Sequence, residues 1–188
     1  STKNAPVFNK VVPWLSLLLA GVAGAAFRYY LMDTLAPRGF SYFIESCVRF
    51  RYAEMRMLGL PVPASDPWVL WPDGFPVATM ILSLPDRITA AYYHLTGGGN
   101  TYLASRNLIN LLSATAVLAF IPLALAVLRR PWPAAAATLL YAGTFASFGR
   151  SFGNYLREDF ALPGLLIVTA AAYHLLTRTE PGRGRWFW

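Results

Sequence analysis

Long apolar stretches alternate with short charged turns and one aromatic-rich interval along the chain. A helix needs about 20 apolar residues to cross the hydrocarbon core of a bilayer. Four stretches meet or approach that length. Val11 to Leu31 is broken only by Arg28 near its end, and Leu108 to Leu128 only by Asn110 and Pro122. Pro131 to Phe148 is Ala-rich and short. Phe160 to Leu176 has Pro163 in its first turn, where the missing N–H costs nothing. The pattern predicts an all-α integral membrane protein, a single membrane domain over 1–188 with about four transmembrane helices.

Between the first two spans lies a long loop, 34–106, and between the last two a shorter one, 149–159. Prolines 61, 63, 67, 72, 76 and 85, together with Trp68 and Trp71, make the first loop rigid rather than floppy. Within it the sequence predicts a helix over Ser41 to Leu60 lying near the membrane interface, and a second, short one over Pro85 to Leu95. "TGGGN" (96–100) is expected to form a hinge before the second span.

Composition agrees with the membrane reading. The 188 residues are 56% hydrophobic and only 13% charged, against about 25% charged in soluble domains. A net charge of +7 raises nucleic acid as a partner, but Lys and Arg are scattered rather than gathered on one face, so none is expected. A single cysteine, Cys47, excludes an intrachain disulfide. The flanks containing Lys3, Lys10, Arg129, Arg130, Arg178, Arg183 and Arg185 hold one acid, Glu180. That bias predicts cytoplasmic N- and C-termini, with both loops periplasmic, extracellular or lumenal. The chain begins at Ser1 and stops at "RWFW", which leads us to expect an N-terminal fragment of a longer polypeptide.

Candidate chemistry sits in the two external loops. At 100° per residue, Glu45, Arg49, Tyr52 and Arg56 fall in a stripe about 60° wide. The plain alternative is an interfacial helix whose polar face is solvated. Glu54 lies opposite Glu45 and is expected to pair with Arg51. Glu158 and Asp159 follow Arg157 in "NYLREDF" (154–160), on the same predicted membrane face as Glu45. Carboxylates from separate loops, here Glu45, Glu158 and Asp159, can share a divalent cation such as Mg or Mn, because hard cations take oxygen ligands. Arg49, Arg56 and Arg157 suit bidentate contacts to phosphate. Asp159 equally suits the N-terminus of a helix. Arg28 is expected to snorkel or to pair with Asp33, and neither His94 nor His174 has a partner at metal-ligand spacing.

The order of these features resembles the N-terminal part of the oligosaccharyltransferase catalytic subunit family, and more broadly the membrane-embedded GT-C glycosyltransferases. "ESCVRFRYAEMRMLGLP" is similar to the family's D-x-Y-x-x-x-R stretch, with Glu45 in place of the aspartate and Arg51 at the basic position. "DPWVLWPDGFPV" (66–77) is similar to its Trp/Tyr-Pro-x-Gly segment. "GRSFGNYLREDF" is similar to its second external loop, with Arg150 and Asp159 matching and Arg157 where the family has its first acid. The resemblance implies a partial GT-C fold that moves a sugar or oligosaccharide from a polyprenyl (di)phosphate donor to an external acceptor. It implies Glu45 and Asp159 as catalytic residues, and as partners membrane lipids, the donor and the remaining helices of the same enzyme or other subunits. A non-catalytic multi-span scaffold or accessory subunit is the alternative.

Overall fold

The computed structural model describes residues 7–35, 44–67, 76–77, 83–144, 147, 149 and 154–179, without the side chains of 7–10, 44–45, 83, 157 and 178–179. The described residues fold into helices with no β-strand: α1 (Val7–Leu35), α2 (Ile44–Met57), α3 (Ser83–Leu95), α4 (Thr101–Leu128), α5 (Pro131–Gly143) and α6 (Arg157–Thr179). Three of them, α1, α4 and α6, contain stretches long and apolar enough to cross a membrane. At 1.5 Å per residue, the 29, 28 and 23 residues of these helices extend about 44, 42 and 35 Å.

The expected third span is shorter than its apolar pattern suggested. The helix over Pro131 to Phe148 stops at Gly143, and its 13 residues reach only about 20 Å. Thr144 closes it, with its N–H bonded to the Leu140 carbonyl. The turn that starts α5 follows from "RRPWP". Arg129 adopts φ 56° and donates its N–H to the Leu125 carbonyl, ending α4, and Pro131 then occupies the first turn of α5. There its absent N–H would have had no intrahelical partner.

Side-chain contacts fix how the helices run. Asp33 near the end of α1 meets Arg106 near the start of α4, while Leu17 and Ala20 cluster with Ala124, so α1 and α4 are antiparallel. Leu17 and Ala20 also cluster with Ala134 and Ala135, and Arg28 reaches the Ala142 carbonyl, so α5 runs parallel to α1. Helix α6 follows α4 in the same direction, from the cluster of Ile109 with Tyr155 and Phe160 to an apolar groove between Pro122, Leu125 and Ala170, Ala171. Small residues permit the tightest approach. A Cβ on Gly24 would sit 3.1 Å from Ala142 Cβ and 3.2 Å from Val117 Cγ1. With lipid as apolar as the side chains, packing of this kind is a main source of helix association.

Arg28 corrects an expectation. It neither snorkels nor pairs with Asp33. Fully buried, it donates from Nε to the Ala142 carbonyl at 2.7 Å and from Nη2 to the Tyr141 carbonyl and to Ser147 Oγ. Those carbonyls belong to the last turn of α5, which has no further N–H groups to satisfy them, and a cation there also suits the helix dipole. Asp33 is taken instead by Arg106, whose Nη2 lies 3.1 Å from Asp33 Oδ1 and also donates to the Asp33 carbonyl.

Candidate functional site

The site is built at the end of the bundle where α1 finishes and α4 and α6 begin. Helix α2 is the first wall, described over Ile44–Met57, with the expected start at Ser41 lying outside the described residues. Ser46, Tyr52, Ala53 and Met57 are buried, and Arg49 and Arg56 are half-buried beside them. The stripe of Arg49, Tyr52 and Arg56 is therefore turned into the protein and is not a solvated face. Arg51 and Leu58 are exposed on the opposite side.

Two aspartates that looked unremarkable in the sequence hold this wall in place. Asp66 is 1% exposed and accepts from Arg51 Nε at 3.1 Å and from Tyr52 Oη at 3.2 Å. This overturns the expected Glu54–Arg51 pair: Glu54 Oε1 instead accepts from Thr101 Oγ1 at 2.6 Å, tying α2 to the first turn of α4. Burial first, then the charge and hydrogen bond of Asp66, push the Tyr52 phenol up to about 12, so it stays a hydrogen-bond donor. Asp86, in the first turn of α3, is the second. It is 3% exposed, with Oδ2 3.9 Å from Arg56 Nε. Desolvation pushes its carboxyl up to about 6, against the opposing pull of Arg56 and then Arg49.

Helix α3 starts at Ser83, two residues before the expected Pro85, and the glycine turn that follows it is ordered by hydrogen bonds. Gly97, Gly98 and Gly99 all have positive φ, of 87°, 76° and 108°, a conformation glycine adopts without steric cost. Asn100 then caps α4, accepting from the Leu103 N–H at 2.9 Å.

The second loop lands on α2 and α3. Ser46 Oγ donates to Asn154 Oδ1 at 3.2 Å. Tyr155 is buried, with its ring centroid 6.2 Å from Phe50 and 5.7 Å from Phe160, both edge-on. Its hydroxyl lies 2.6 Å from Thr89 Oγ1. Thr89 gives its own proton to the Pro85 carbonyl at 2.9 Å, so Tyr155 donates in this pair. Residues 154–160 are thus pinned between the two loop helices.

These contacts carry the expected site residues unevenly. Glu45 is the second residue of α2, beside Ser46, and so starts at the point where α2 touches Asn154. Its side chain, that of Arg157, the whole of Arg150 and most of "DPWVLWPDGFPV" lie outside the described residues. Asp159 is buried in the first turn of α6, where a helix N-terminus favours an anion, whereas Glu158 is exposed. The two adjacent carboxylates therefore face different surroundings. Among the described residues, no three of His, Cys, Asp and Glu stand together as a metal site. No family model, no curated protein and no solved structure matches the chain. The site is defined by its own geometry: a cap of α2, α3 and 154–160, with Arg49, Arg56 and Asp86 between α2 and α3 and Asp159 buried on 154–160.

Proposed function

We propose that this protein is a membrane-embedded glycosyltransferase of the GT-C kind, taking a sugar from a polyprenyl (di)phosphate donor on the face formed by α2, α3 and the start of α6. The observation that carries the reading is the contact of the first-loop helix with the second loop, through Ser46 and Asn154 and through Phe50, Thr89 and Tyr155. It gathers guanidinium groups and a buried carboxylate from distant parts of the sequence at one end of the helices. In this reading α5 returns the chain toward that end as a fourth crossing. That end is external, and both termini are cytoplasmic.

The chemistry asks for little else from these residues. Arg49 and Arg56, two turns apart on α2, offer forked donors to phosphate oxygens. An acceptor heteroatom attacks the anomeric carbon as the carbon–oxygen bond to phosphate breaks, and the bonding electrons leave with the phosphate. Guanidinium groups fixed in a half-buried site stabilise that growing charge. Glu45 or Asp159 orients the acceptor and takes its proton. The exposed apolar face of α6, which includes Leu165, Ile167 and Val168, favours a second reading as a scaffold that packs on other membrane helices.

A photoreactive polyprenyl phosphate, applied to the chain in nanodiscs, separates the two. Labelling within α2 or 154–160, competed by unlabelled polyprenyl phosphate and weakened by Arg49→Ala with Arg56→Ala, is the expected result. Labelling spread along α6 and insensitive to both treatments would leave the scaffold reading.

A further inference from the structure

Arg56 and Asp86 make an unusual pair. Both come from the loop between the first two long helices, and Asp86 is 3% exposed. A carboxylate so buried is ordinarily bonded to its counter-ion, because an unmade bond to a buried charge is costly. Here the closest approach is 3.9 Å, beyond hydrogen-bond length. Arg56 Nε is itself buried and has no hydrogen-bond partner among the described residues. A directional donor is therefore held next to an acceptor that it does not bond. Arg49, two turns earlier on α2, contributes to the same field.

We infer that Asp86 is an internal stand-in for the phosphate group of the ligand, and that binding exchanges the Asp86 carboxylate for a phosphate oxygen on Arg56. The inference rests on the phosphate-binding reading given above and assigns a role that the sequence motifs did not include. Bound phosphate and ionised Asp86 repel each other across the same guanidinium, so the exchange is easiest when Asp86 takes up a proton. The charged groups facing Asp86 among the described residues are Arg56 and Arg49 of α2, and both favour its ionised form. Its own helix places Arg87 and His94 on the exposed side. Burial dominates, and its carboxyl titrates near 6. Phosphate affinity should therefore rise as pH falls through that value.

The test compares dissociation constants of wild type and Asp86→Asn for farnesyl phosphate, and separately for inorganic phosphate, between pH 5 and pH 8. Taking the ratio of the two proteins at each pH cancels the titration of the ligand itself. A like charge a few ångströms away is worth roughly one pK unit or more, which corresponds to about tenfold. Wild type should bind about tenfold more weakly than Asp86→Asn at pH 8, and the ratio should approach one at pH 5. That ratio with farnesyl phosphate assigns the site to a lipid headgroup; with inorganic phosphate alone it assigns the site to free phosphate. Binding with a ratio near one at every pH overturns the exchange while leaving the phosphate site standing. No binding of either probe by either protein removes both. Should Asp86→Asn fold poorly, Asp86→Ser removes the same charge and yields the same ratio.

Discussion

Removing the Tyr155 ring should open the cap, and the native cysteine should report it. Tyr155 is 2% exposed and lies in one cluster with Met32, Ala53, Met57 and Ile109, against which Cys47, Phe50 and Phe160 also pack. Truncating a buried aromatic to alanine costs about 3–5 kcal/mol. Tyr155→Phe loses the hydroxyl bond to Thr89, about 1 kcal/mol, while Thr89 keeps its bond to Pro85. Each 1.4 kcal/mol is about tenfold in an equilibrium constant. If the cap opens as one unit, the open population rises about fivefold in the phenylalanine variant and at least a hundredfold in the alanine variant. Cys47 is the sole cysteine and is half-buried in the closed cap, so the rise in its maleimide modification rate in nanodiscs over wild type, followed by intact mass, reports the opening. Leu165→Ala, on an exposed face of α6, should leave the rate unchanged. A Tyr155→Ala rate within twofold of wild type would refute the packing of 154–160 on α2.

Other perturbations test the frame around the cap. Gly24→Ala should destabilise by about 1–3 kcal/mol, since Ala142 Cβ at 3.1 Å cannot rotate away. Gly21→Ala should be milder, because its one close contact is the flexible Cδ1 tip of Ile121 at 2.5 Å, with Leu118 Cδ2 at 3.4 Å in ordinary contact; thermal unfolding in detergent ranks the two. Arg106→Met should cost about 1–3 kcal/mol by stripping both bonds to Asp33, and Asp33→Asn less, since Arg106 keeps the backbone carbonyl. For Asp86 the folded value of about 6 lies above its ordinary 3.8. The native state therefore binds this proton before the unfolded chain does, and its stability rises as pH falls from 7 to 4. Wild type should gain up to about 3 kcal/mol on Asp86→Asn across that window, and chemical denaturation at each pH measures the difference.

The long helices were legible because the membrane demands an apolar run, and α1, α4 and α6 supply one. Helix α5 was legible as an element but not in length, since nothing in "AAAATLLYAGTFASF" outweighs the break that begins after Gly143. The stripe of Arg49, Tyr52 and Arg56 was visible in the helical period, yet its direction was not. Periodicity reports that residues share a face, and only tertiary contacts show whether that face meets water. Asp66 and Asp86 carried no signal of their own, lying 15 and 30 positions from the arginines they meet. The Arg28 contact was equally hidden, because its acceptors are backbone carbonyls, which any residue supplies. A charged residue within an apolar run was still a fair pointer to a buried polar contact.

The meeting of α2 with the second loop underlies the proposed site, and a distance-limited cross-link between them tests it most directly. In a Cys47→Ser background, Ser46→Cys with Asn154→Cys should be bridged rapidly by a thiol reagent spanning about 5 Å, given the 3.2 Å between the native side-chain oxygens. Ser46→Cys with Thr177→Cys, at the far end of α6, serves as the reference pair. Bridging of the first pair many times faster than the reference is the expected result. Equal, slow bridging of both would contradict a shared site at this end of the molecule.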